Sequence, residues 1–60
     1  MTNEERTRFA ADEAFVGCEW LSDAVTAERR EQHERARSLR IAATGRLREA
    51  LRALERMEGE

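Results

Sequence analysis

The sequence predicts an all-α protein: a helical hairpin or a bent long helix, packing as a coiled-coil-like dimer. Three observations predict it. Proline is absent and the 60 residues hold three glycines, at 17, 45 and 59, so little interrupts a helix. Alanine, leucine, glutamate and arginine, which suit helices well, dominate the composition. Apolar residues also recur at steps of three and four in both halves, the period of one helix face.

The first element is a helix over about 3–24. Thr2 followed by Glu5 fits a capping box and places its start near Asn3. At 100° per residue, Ala11, Ala14, Cys18, Leu21 and Val25 fall on one stripe, which is expected to face the core. Phe9, Val16 and Trp20 share a second face. Between the two runs a line of acids: Glu5, Asp12, Glu19 and Asp23. Phe15 and Cys18 are expected to be buried, and Gly17 is a point where the helix can bend or end.

The second element is a helix over about 27–57. Ala36, Leu39, Ala43, Leu47, Ala50, Leu51, Leu54 and Met57 make one stripe over about six turns, the expected core and dimer contact. Arg30, Arg37, Arg48 and Arg52 line the other side. Ala36, Ala43 and Ala50 stand seven apart, so a partner helix can approach closely along that line. Gly45 lies off the stripe, and the helix is expected to run through it at a cost of roughly 1 kcal/mol.

The connection is AERREQHERAR, residues 27 to 37, which has no turn residue and no large apolar residue. A turn is expected near Ser22 to Ala27, with Ser22 or Thr26 as the cap. The second helix is then the longer, and its end from Leu47 to Met57 projects past the first to find another chain.

A chain this short makes a single small domain, residues 1–60, with a thin core. One cysteine gives no internal disulfide, and Cys18 with His33 does not supply a four-ligand zinc site. Stability must therefore come from helix packing and association. No apolar run is long enough to span a bilayer, and the acidic start lacks the apolar region of a signal peptide. A lone thiol fits a reducing compartment, so the expected location is cytoplasmic.

Charge divides along the chain. Residues 1–28 carry seven acids and two arginines, a formal −5; residues 29–60 carry six acids and nine arginines, a formal +3. All eleven basic residues are arginine, which codon bias explains, though arginine also suits paired bonds to carboxylates. Either the acidic helix lies against the basic one, or it faces a basic partner.

The sequence argues against an enzyme. His33 has no identifiable nucleophile or orienting partner, and a Glu-x-x-His metal motif fails because position 30 is Arg30. The adjacent acids Glu4–Glu5 and Asp12–Glu13 point about 100° apart and share no site. No catalytic, cofactor-binding or metal-ligating residue is expected, and no cofactor.

What remains is binding. The expected function is that of a small non-enzymatic inhibitor or regulator, docking Glu5, Phe9, Asp12, Val16, Glu19, Trp20 and Asp23 on a basic partner surface. Its concrete form is a nucleic-acid mimic that blocks a nucleic-acid-binding site, as small phage-encoded, anti-CRISPR-like proteins do. Size and charge alone suggest that form. One alternative is a structural or assembly homo-oligomer. Another is a dimeric DNA-binding regulator using Arg29, Arg30, Arg35, Arg37 and Arg40; the acidic net charge of −2 weighs against it.

Overall fold

The computed structural model describes residues 1–57, so Gly59 lies outside the described residues. The chain forms α1 (Asn3–Arg29) and α2 (His33–Glu55), packed against each other as a helical hairpin measuring 46 × 14 × 13 Å. The start of α1 is the predicted capping box. Thr2 Oγ1 accepts the Glu5 amide at 3.1 Å, and the Glu5 carboxylate accepts the Thr2 amide at 3.0 Å. Hydrogen bonding of the Glu5 carboxylate to the Thr2 amide, and then to the Thr2 side chain, favours the ionised acid and holds the Glu5 carboxyl below its usual range.

The turn falls later than the sequence suggests, at Arg30–Gln32. Two amides close the end of α1: Gln32 donates to the Ala27 carbonyl at 2.9 Å and Glu31 donates to that of Glu28 at 3.0 Å. This is the Schellman arrangement, which places one residue in the left-handed conformation. That residue is Glu31, at φ 59°, where glycine is usual. The delay has a packing reason. Ala24 and Ala27 both bury against Ala36, so α1 continues while it still has small residues to bury. Consequently α1 is the longer helix, 27 residues against 23, and Leu47–Met57 lies alongside the N-terminal half of α1 instead of projecting.

The core consists of alanine and glycine. Ala10, Gly17, Ala24 and Ala27 are buried on α1; Ala36, Ala43, Ala50 and Ala53 are buried on α2. No large side chain is fully buried among the described residues. Both helices carry a small residue every seven positions, and such lines let two helix axes come close together. The approach is tight at Gly17. A Cβ built there would stand 3.1 Å from Leu47 Cγ and 3.3 Å from the Ala43 carbonyl oxygen. The helix passes through Gly17 unbroken, and through Gly45 as predicted.

Three expectations for α1 are corrected. Of the stripe assigned to the core, Ala11 and Cys18 are exposed, Leu21 is 37% exposed and Val25 51%; Ala14 alone packs on the buried cluster. The stripe lies roughly a quarter turn from the buried line. Phe15 is exposed, and Cys18 is a free, exposed thiol. The reason is the position of the seam: it follows Ala10, Gly17 and Ala24, so Cys18 falls on its flank and Phe15 on the side of α1 turned away from α2.

On α2 the predicted stripe splits. Ala36, Ala43 and Ala50 are buried, Leu39, Leu47 and Met57 are half-buried, and Leu51 and Leu54 stay exposed. Among the described residues, no helix is long and apolar enough to cross a membrane.

Candidate protein-binding surface

The hairpin has two broad sides. On one, Arg46 of α2 reaches across to α1. Its Nη1 donates to Glu13 Oε1 at 2.8 Å, and its guanidinium carbon lies 5.2 Å from the centroid of the Trp20 ring. Glu13 is largely covered, its side chain only 14% exposed, so the pair is better shielded from water than the other ion pairs described. Glu13, Arg46 and Trp20 thus clamp the helices together at mid-length. Trp20, predicted as a partner anchor, is half-buried under this clamp.

The acidic ridge is divided in the same way. Glu5 is engaged with Thr2 in the cap. Asp12, Glu19 and Asp23 are exposed and take no part in the ion pairs of the described residues. Asp23 borders a polar depression near the turn, shared with Arg30 and Arg35. Phe9 is 38% exposed and Val16 half-buried on the flank beside the ridge.

Sequence reasoning missed the most exposed aromatic. Phe15 is 66% exposed. It follows Asp12 by three residues and precedes Glu19 by four, so it stands between these two acids on the helix surface. The spacing was visible in the sequence; the assumption that phenylalanine goes inside concealed it.

The turn end carries the basic residues. Arg29, Arg30, Arg35 and Arg37 are exposed there, with Glu31 and Glu34 among them. Arg40 is already held: its Nη1 donates to Glu28 Oε1 at 2.9 Å, while His33 Nδ1 meets Glu28 Oε2 at 2.9 Å. Hydrogen bonds from Arg40 and then His33 keep the Glu28 carboxyl below its usual range. At the opposite end, Arg6 donates to the Arg56 carbonyl, satisfying an acceptor that the end of α2 leaves open.

The second broad side is an open apolar groove. Thr7, Ala11 and Ala14 form its α1 wall, and Leu47, Leu51 and Leu54 form its α2 wall. Among the described residues no group of three or more His, Cys, Asp or Glu side chains is arranged to hold a metal ion. No protein-family model, curated protein or solved structure matches the chain.

Proposed function

We propose that the protein is a small non-enzymatic binding module that inhibits or regulates a larger protein by docking the outer face of α1 on a basic surface. One observation carries this reading: Phe15, 66% exposed, standing between the exposed acids Asp12 and Glu19. An aromatic anchor ringed by charge is the usual anatomy of a contact hot spot, and acids on a rigid helix steer a basic partner into register. Asp23 extends the acidic line, and Phe9 and Val16 border it. Trp20 and Glu5 act instead within the hairpin, as clamp and cap.

The partner is a protein with a basic, nucleic-acid-binding surface, and the concrete form is an anti-CRISPR-like mimic that blocks that site. The test is capture from cell lysate by the immobilised protein, followed by mass spectrometry. A basic nucleic-acid-binding protein should be retained, released by salt, and lost from both an Asp12/Glu19/Asp23→Ala variant and Phe15→Ala. Unchanged capture by either variant removes this face from the account.

Direct DNA binding has less support. Arg40 is held by Glu28, and the remaining arginines share the turn with Glu31 and Glu34. A duplex-DNA shift with steep salt dependence, abolished by Arg29/Arg30/Arg35/Arg37→Ala, would favour it instead.

A further inference from the structure

We propose that a second copy of this chain covers the apolar groove, giving a four-helix dimer with both turns at the same end. This inference does not rest on the docking reading, because it uses the other broad side and leaves Asp12 and Glu19 uncovered.

The first argument is from area. Among the described residues the buried class holds only alanine and glycine, while Leu21, Val25, Leu51 and Leu54 stand 37–58% exposed. A core of that kind is thin for so short a chain, and association is the ordinary remedy. Beyond the groove's own lining, the same face of α1 stays apolar. Cys18, Leu21 and Val25 follow Thr7, Ala11 and Ala14 at steps of three and four toward the turn, exposed and with no charged residue in the row. The exposed apolar side chains on this side are therefore spread along both helices, Leu51 and Leu54 on α2 and Leu21 and Val25 on α1, where a second copy can bury them.

The second argument is from shape. The groove has a trough of small residues on α1, Ala11 and Ala14, beside a ridge of leucines on α2, Leu47, Leu51 and Leu54. Two copies facing each other about a two-fold axis along the rod put each ridge over the other copy's trough. One patch therefore complements itself, as an isologous interface requires.

Charge then chooses between the two possible axes. Within its bounds α1 holds seven acids and three arginines, net −4, whereas α2 holds three acids and six arginines, net +3. An axis along the rod sets each α1 beside the other copy's α2, opposite charge against opposite. An axis across the rod sets α1 on α1 and α2 on α2, like against like. The first is favoured, and it places the turns together.

Sedimentation equilibrium at micromolar concentration tests the proposal. The expected mass is twice 6.9 kDa, and a Leu51→Glu/Leu54→Glu variant should sediment as a monomer. Ile41→Glu is the control. Ile41 is 63% exposed but lies two residues from the buried Ala43, on the far side of α2, so this variant should stay dimeric. A wild-type monomer up to millimolar concentration overturns the proposal and leaves the groove to another protein; a dimeric double variant overturns it equally. Should the double variant fail to fold, the wild-type melting temperature decides. A rise with protein concentration supports the dimer, and a flat profile overturns it. A spin label at Gln32→Cys in a Cys18→Ser background fixes the axis. An inter-copy distance below half the 46 Å length supports turns at one end, whereas one approaching that length overturns the arrangement.

Discussion

Gly17 of α1 lies so close to Ala43 of α2 that a Cβ on the glycine would stand 3.3 Å from the alanine's carbonyl oxygen. The obstacle is backbone and cannot rotate away. A second contact, 3.1 Å to Leu47 Cγ, would have to give as well. The seam is therefore set by what is missing from Gly17.

This geometry predicts opposite outcomes for one substitution at two helical glycines. A Cβ added at Gly45 would meet nothing within 4 Å, so Gly45→Ala should gain the helix-propensity difference, about 1 kcal/mol. Gly17→Ala gains the same propensity but must push α2 away along the alanine seam. It should be destabilising by roughly 1 kcal/mol, within the range for overpacked sites. Paired urea melts check this, and equal gains at both positions would refute the close-packed seam.

Much of the fold was legible in the sequence, and the failures share a cause. The capping box of Thr2 and Glu5 was readable because both partners are local. Ala36, Ala43 and Ala50 were readable because leucines flank them on the same stripe. Their counterpart, Ala10, Gly17 and Ala24, has the same seven-residue step, but larger residues beside it drew the core assignment onto Cys18, Leu21 and Val25. Hydrophobic patterning rewards size, whereas a close seam rewards smallness. Of the candidate surface, Asp12 and Glu19 stood out as charge. The engagement of Trp20 did not, because Arg46 comes from the other helix and the register across the seam is not written in local spacing.

The position of the turn was not legible, because its left-handed residue is glutamate and not glycine. Glu31 at φ 59° strains an ordinary L residue by about 1 kcal/mol or more. Glu31→Gly should therefore raise stability, by somewhat under 1 kcal/mol once the freer unfolded chain is counted. Glu31→Val should lower it, since a β-branched side chain fits that conformation poorly. Thermal melts of the three proteins should rank glycine, glutamate, valine; any other order would place the turn elsewhere.

The clamp at mid-length can be read through its own tryptophan. Arg46→Ala removes both the stacking on Trp20 and the bond to Glu13, leaving a largely covered carboxylate without its partner. The expected loss is roughly 1–2 kcal/mol. Arg46→Lys keeps the charge but not the planar fork, so it should fall between the two. Near-ultraviolet circular dichroism of the sole tryptophan should weaken in Arg46→Ala. An unchanged Trp20 signal with unchanged stability would dissolve the clamp.

Near the turn, Glu28 ties α1 to α2 through Arg40 and His33, and its carboxyl is held below the ordinary value of 4.5. A depressed folded value means the unfolded chain takes up a proton first as pH falls. The stabilisation is therefore complete above the ordinary glutamate value and disappears as pH drops through the folded one. Wild type should melt above Glu28→Gln at neutral pH, and the two should converge in acid below the folded value. The gap should narrow with added salt, because the pair is only partly covered. His33→Ala should retain most of the gap and Arg40→Ala should lose most of it, since the arginine is the larger contributor. A gap that stays constant from neutral pH into strong acid would show that Glu28 stabilises the turn without its charge.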